Sequence, residues 1–292
     1  MRESSPSQKK GVLYVVATPI GNREDITLRA LNNLRKVDLV AAEDTRKSGD
    51  LLAHYGIKNR LISFHEHNET KRTPELIAKL LNGTTIALIS NAGTPSVSDP
   101  GYRLIKAAIA NQIAVTPIPG VSAATAAMSV SGLPTDSFVF IGFAPKKKGK
   151  RLKFLTELGT ERRPLIFYES PKRISALLEE IISCMGDRNA VLAREMTKLH
   201  EEFVRGPVSQ ILKTLKSRAE IKGECTLLVA GFTDNKELDS EIIAAEVRAA
   251  LEKQKSGLAE IVKLIAQKYG LSKNRVYELA LKVKSQRTKS RS

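Results

Sequence analysis

Thr84-Thr85-Ile86-Ala87-Leu88-Ile89-Ser90 runs directly into Asn91-Ala92-Gly93-Thr94-Pro95-Ser96-Val97-Ser98-Asp99-Pro100-Gly101, and that loop enters a helical pattern at residues 102–110. The first string is a short apolar run without polar alternation. Such a run marks a strand buried on both faces of a mainly parallel sheet. In the loop, Asp99 suits a helix N-cap and Pro100 a first helical position. Gly93 lets the backbone approach a ligand closely. Loops at the carboxyl ends of parallel strands are where α/β sheets bind small molecules. A capped β-α turn needs fewer residues and fewer prolines than this one has, so the loop is read as ligand-binding.

The same pattern extends in both directions. Gly11 to Thr18 is another near-continuous apolar run, followed by a turn at Pro19 to Asn22. Helices are expected over 26–34, 45–54, 73–81 and 102–110, and strands over 39–42, 84–90 and 113–118. This alternation argues an α/β domain. Pro117-Ile118-Pro119-Gly120-Val121-Ser122-Ala123-Ala124 repeats the ligand-loop character, with Ser122 able either to cap the next helix or to touch a ligand. Two such loops on one sheet edge point to one shared pocket. Beyond a boundary near 133–136, strands are expected at 138–142, 165–168, 190–194, 202–205 and 225–230, with helices at 172–184 and 208–215. Consecutive strands without an intervening helix imply a mixed sheet. A polar linker at 232–240 leads into three helices, capped by Ser240 and Ser272, with Gly270 as a C-cap. Their short joining turn is helix-turn-helix-like. The expected organisation is therefore a disordered tail at 1–10, α/β domains at 11–135 and 136–232, and a helical extension at 238–287.

Composition narrows the function classes. The 292 residues carry 47 Lys and Arg against 31 Asp and Glu, a formal charge of +16. A chain this basic is expected to meet a polyanion. Residues 146–163 hold eight basic and two acidic residues, and residues 238–292 hold twelve and six. Only Cys184 and Cys225 occur, with no CxxC, which fits a reducing cytosolic compartment rather than a disulfide framework. His65 and His67 flank Glu66, too little for a metal site. No apolar run reaches the length of a membrane span, and residues 1–10 lack the apolar segment of a signal peptide. The GxGxxG and GxxxxGK[ST] fingerprints, the G-x-S-x-G elbow and HExxH are all absent.

Six strings carry a resemblance. They are Leu13-Tyr14-Val15-Val16-Ala17-Thr18-Pro19-Ile20-Gly21-Asn22, Ala41-Ala42-Glu43-Asp44-Thr45-Arg46, Ser63-Phe64-His65-Glu66-His67-Asn68-Glu69, Ala92-Gly93-Thr94-Pro95 with Asp99-Pro100-Gly101, Leu165-Ile166-Phe167-Tyr168-Glu169-Ser170, and Ala193-Arg194-Glu195-Met196-Thr197-Lys198. In this order, over nearly the whole chain, they resemble the ribosomal-RNA-modifying branch of the tetrapyrrole methylase family. Asn91 departs from the pattern, which has Asp there. The resemblance implies S-adenosylmethionine as methyl donor and the ribose 2′-hydroxyl of a cytidine in the decoding region of 16S rRNA as acceptor. It also implies two α/β domains with the donor between them, a helical C-terminal extension and a homodimer. Carried over, the donor-contacting positions are Pro19, Ile20, Ala92, Gly93, Thr94, Val97, Ser122, Ala123 and Tyr168.

Methyl transfer from a sulfonium needs mostly in-line positioning. A 2′-hydroxyl is a poor nucleophile, so a nearby base or cation would assist. Glu43, Asp44, Arg46, His65, Glu66 and Arg194 are candidates, and Glu195 with Lys198 is the pair carried forward as catalytic. Lys198 serves as a base only where burial or neighbours lower its pKa. The basic run Lys146, Lys147, Lys148, Lys150 and Arg151 is expected to be a loop that grips RNA phosphates, as are Lys273 and Arg275 in the last helix. Two rivals stand beside this: a methylase of a small tetrapyrrole-like molecule, and a non-catalytic RNA-binding or assembly protein.

Overall fold

The computed structural model describes residues 10–233, 243–250, 257–269, 276–281 and 283. Five strands form an all-parallel sheet in the order β3-β2-β4-β1-β5: β1 (Val12–Val16), β2 (Leu39–Ala42), β3 (Leu61–Ser63), β4 (Ile86–Ile89) and β5 (Ala114–Ile118). Helices α1 (Leu28–Lys36), α2 (Thr45–His54), α3 (Glu69–Leu81) and α4 (Tyr102–Ala110) connect them. The absence of polar alternation in β4 has a direct cause. Ile86 and Leu88 pack under α3 and α4, while Ala87 and Ile89 pack under α1 and α2. Both faces of the strand are covered, so both must be apolar.

From β4 the chain moves past β1 to β5, and from β1 it moves past β4 to β2. The two connections therefore run in opposite directions over opposite faces of the sheet, α1 on one and α4 on the other, and the carboxyl ends of β1 and β4 lie between them. The Pro19 turn and the loop at 91–101 leave the sheet there.

The second sheet has the order β6-β7-β10-β8-β9, with β6 (Val139–Phe143) parallel to β7 (Leu165–Glu169). The strands β8 (Asn189–Arg194), β9 (Glu202–Pro207) and β10 (Cys225–Val229) pair antiparallel, which makes this the expected mixed sheet. One face packs on α6 (Lys148–Glu157), α7 (Ile174–Met185) and α8 (Val208–Lys216). The other receives α5 (Ala123–Ser129), whose Ala124, Ala127 and Met128 lie against Ile166, Val191, Ala193 and Leu228. Small residues let that helix sit close to the sheet. All ten strands belong to one compact unit ending at Phe232, and the chain passes from the first sheet to the second between Ile118 and Val139.

Some elements differ from expectation. The expected basic loop at 146–151 is mostly the first turn of α6. Helix α3 opens at Glu69 rather than 73, because Pro74 sits inside it where a proline ordinarily reads as a helix start. Strand β3 is an edge strand of three residues, too short to carry a periodic signal. In the C-terminal unit, residues 243–250 and Leu258–Tyr269 are helical, as are residues 276–281. Ile261, Val262 and Ile265 share a core with Ile243, Val247, Val276, Ala280 and Val283. The tail at 1–9, the caps Ser240, Ser272 and Gly270, and Lys273 and Arg275 lie outside the described residues. Among the described residues no helix is long and apolar enough to cross a membrane.

Candidate active site

At these carboxyl ends, the loop after β4 is stapled to the end of β1. Thr18 and Gly93 exchange backbone hydrogen bonds of 2.9 and 3.0 Å, and the buried Thr18 hydroxyl donates to the Ser90 carbonyl at 3.1 Å. Gly93 has φ +75°, and a Cβ there would meet nothing closer than 3.6 Å. The glycine is thus required by its left-handed backbone rather than by crowding. Ser96 and Ser98 also adopt φ of 68° and 67° without being glycine, so the loop is held in strained conformations.

Asp99 does not cap α4. The Glu69 carboxylate does so from α3, accepting from the Gly101 and Arg103 amides at 3.2 and 3.0 Å. Asp99 is instead half-buried. Burial raises its carboxyl to about 6, assisted by the Glu43 and Glu224 carboxylates and opposed by a hydrogen bond from Ser90. Ser122 does not cap α5 with its side chain either. The Tyr168 hydroxyl reaches across from β7 and accepts the Ala124 amide at 3.1 Å. Its ring lies edge-on to Phe140 and Phe143 at 5.0 and 5.9 Å. Burial raises the Tyr168 pKa, so the phenol stays protonated at neutral pH.

These groups enclose a cavity of about 380 Å³. Ile20, Ala92, Gly93, Thr94, Val97, Ser122, Ala123 and Tyr168 all line it. Pro19 does not. It lines a second cavity, of about 240 Å³, that shares Ile20, Ala92 and Glu224 with the first. The sequence reading missed Asp99, Phe143 and Glu224 as lining residues.

The pair Glu195 and Lys198 is differently employed. Glu195 accepts from Lys198 Nζ at 2.8 Å and from the Glu224 amide at 2.9 Å, and it lines neither cavity. Those bonds hold its pKa below the ordinary carboxylate value. Lys198 lines the second cavity and bonds both Glu195 and Glu224, the latter at 3.1 Å. Burial pulls its pKa down, but the two carboxylates outweigh it and the net shift is upward. Lys198 is therefore a fixed cation and not a base. The Glu195 loop also carries φ of 52° at Glu195 and 64° at Thr197, and the Thr197 hydroxyl accepts the Asn22 amide at 2.9 Å. Gly21 is obligatory beneath it, since a Cβ would lie 2.5 Å from Lys198 Cγ.

Among the remaining candidates, Asp44, Arg46 and Arg194 hold structure. Asp44 caps α2 and pairs with Arg46. Arg194 bonds Glu202 and the Lys222 carbonyl. His65 and His67 stack edge-on at 5.9 Å, and among the described residues no group of three metal ligands gathers. Lys146, Lys147, Lys148 and Lys150 are exposed, but Arg151 is not. Its guanidinium forks onto Glu180 and donates to the Pro145 and Lys146 carbonyls at 3.1 and 3.0 Å. The expectation that Arg151 grips RNA is thereby corrected: the run enters a helix, and that helix turns this one position inward.

Residues 12–212 match the sequence profile of the family described as Tetrapyrrole (Corrin/Porphyrin) Methylases. The chain belongs to the tetrapyrrole methylase family. Its relatives include proteins named Ribosomal RNA small subunit methyltransferase I. The one from Halalkalibacterium halodurans is 42% identical over 276 residues, spanning 92% of this chain and 94% of that protein. The one from Escherichia coli O157:H7 is 43% identical over 283 residues, spanning 96% and 98%. Among solved structures of this fold, cobalt precorrin-4 methyltransferase superposes with a TM-score of 0.57 at 18% identity, covering 75% of this chain and 94% of that one. Diphthine synthase superposes with a TM-score of 0.58 at 17% identity, covering 75% and 90%.

Proposed function

We propose that the chain is an S-adenosylmethionine-dependent methyltransferase acting on the ribose 2′-hydroxyl of a cytidine in the decoding region of 16S rRNA. One observation carries the reading: an apolar cavity containing a half-buried carboxylate adjoins a second cavity lined by Arg23, Lys47 and Lys198. A cationic donor fits the first and a polyanionic acceptor the second. The names of the two relatives quoted above, both Ribosomal RNA small subunit methyltransferase I, agree with it.

The first cavity fits the donor chemically. Ile20, Ala92, Val97, Ala123, Phe143 and Tyr168 supply apolar and aromatic wall, and the left-handed Gly93 brings backbone close. Asp99 would face positive charge, which favours its ionised form. Bound S-adenosylmethionine supplies an electrophilic methyl group on a sulfonium. The chain's residues position the partners and exclude water. Glu224 is the carboxylate shared by both cavities, placed to accept the hydroxyl hydrogen bond at their junction, and Lys198 steadies it. Glu195 is a positioning residue that fixes the Glu224 backbone.

The same proposal includes the division into α/β halves at 11–135 and 136–232, a helical extension that grips rRNA, a homodimer and a cytoplasmic setting. The test is transfer of labelled methyl from S-adenosylmethionine to small ribosomal subunits and to naked 16S rRNA, with the modified nucleotide mapped. Label on one cytidine ribose is expected. Binding of donor and RNA without transfer would favour the assembly-protein rival, and label on a tetrapyrrole the small-molecule rival.

A further inference from the structure

The second cavity has a composition that the donor does not require. Three of its lining side chains are cationic, Arg23, Lys47 and Lys198, against the single carboxylate of Glu224. Lys198 is offset by Glu195 and Glu224. Among the described residues, the side chains of Arg23 and Lys47 have no hydrogen-bonding or ion-pair partner, so two positive charges face the cavity uncompensated. Asn91, neutral at a position where the sequence pattern has Asp, also lines it and adds no negative charge.

The two cations stand on fixed backbone. Arg23 opens a 3₁₀ turn capped by the Asn22 side chain, and its carbonyl accepts the Tyr55 hydroxyl at 2.5 Å. The turn is held from the other side by the Asn22 amide on Thr197. Lys47 lies in the first turn of α2, with Ser48 beside it. A volume of about 240 Å³ falls below the 300–1,000 Å³ usual for drug-sized ligands, and suits a sugar with its phosphate. Ile20 and Ala92 line both cavities, so a sugar held here would lie beside a donor bound in the first.

We infer that this cavity is the acceptor subsite, in which Arg23 and Lys47 hold a phosphodiester flanking the ribose to be modified. The inference rests on the methyltransferase reading given above and names the residues through which that site takes its RNA. The anion these cations attract has two sources, an RNA phosphodiester or the carboxylate of the donor itself, and the acceptor assignment commits them to the first.

The experiment compares full-length wild type with the double variant Arg23→Gln/Lys47→Gln. A control, Lys36→Gln/Lys213→Gln, removes the same charge from exposed lysines that line neither cavity. Affinity for a decoding-region 16S rRNA fragment is measured across a salt series, affinity for S-adenosylmethionine by calorimetry, and folding by thermal melting. The site variant is expected to melt like wild type and to bind donor within about twofold of wild type. It should lose about tenfold in RNA affinity near physiological salt, with the slope of log K against log salt shallower by about 1 to 2. The control should keep its affinity within about twofold. An unchanged salt slope, or a loss of donor affinity with RNA binding intact, would overturn the assignment. If wild type methylates no rRNA yet the slope still depends on Arg23 and Lys47, the reaction proposed above fails and the anion subsite stands. If wild type methylates rRNA and the site variant matches it in slope, the subsite fails and the reaction stands.

Discussion

Asp99 is the residue at which folding and binding pull in opposite directions. Its carboxyl sits at about 6 in the folded chain against an ordinary 3.8, because it is half-buried beside Glu43 and Glu224. The folded state therefore holds a proton that the unfolded chain releases, and stability falls as pH rises through the window from about 4 to about 6. A cationic donor reverses the preference. Donor affinity measured by calorimetry is expected to rise several-fold from pH 5 to pH 7, as the carboxylate forms. Asp99→Asn should flatten that profile, weaken binding at pH 7, and raise the ligand-free melting temperature by about 1–3 °C. A variant that melts lower and binds normally would show Asp99 to be a scaffold residue. Gly93 acts differently, because its left-handed φ is intrinsic to the loop. Gly93→Val should reduce donor affinity by at least about tenfold while RNA affinity persists, as filter binding of each ligand would report. The loop reading pointed to Gly93, with Ser122 left between cap and ligand contact, and the family resemblance pointed to Tyr168; all three line the cavity. The capping partners, Glu69 for α4 and Tyr168 for α5, come from 34 and 44 residues away, and no local motif encodes such pairings.

At the scale of elements, strand and helix positions were legible wherever two faces had to be covered. Strands β2 and β4 are apolar throughout, and α2 and α4 end where the sequence pattern ends. Helix α6 was not legible. Its N-cap Lys147 makes no side-chain capping bond, and its first turn is basic, as a solvated loop would be. The cause of its inward turn is Arg151, which buries its charge against Glu180 on α7 and ties down two carbonyls of the preceding segment. Removing one partner of such a pair strands the other. Arg151→Ala is expected to destabilise the protein by about 3–5 kcal/mol in denaturant unfolding. Its RNA affinity, measured at a temperature where the variant stays folded, should remain near wild type. Lys147→Ala and Lys148→Ala should show the converse, with stability within about 0.5 kcal/mol and a shallower salt dependence of RNA binding. Gly21→Ala belongs to this scale as well. The Glu195 loop cannot retreat without releasing the Asn22–Thr197 bond, so methyl transfer should drop with little change in the far-UV spectrum.

Across the whole molecule, the opposed connections at β1 and β4 place their carboxyl-end loops at one cavity, and the second sheet lines it with Tyr168 and Phe143. Charge then selects the partners: a carboxylate where the donor's cation would lie, and cations beside it where a polyanion would lie. The formal charge of +16 pointed to a polyanion from composition alone. It could not locate the contact surface, because Arg23 and Lys47 are 24 residues apart and are brought to one cavity only by the parallel sheet. The most direct measurement is the methylation state of 16S rRNA, mapped by mass spectrometry, in cells lacking this gene and complemented with either wild type or Gly93→Val. One cytidine 2′-O-methyl in the decoding region should vanish on deletion, return with wild type and stay absent with Gly93→Val. A methylation pattern identical in all three strains would contradict the assignment of this chain as the enzyme that makes the mark.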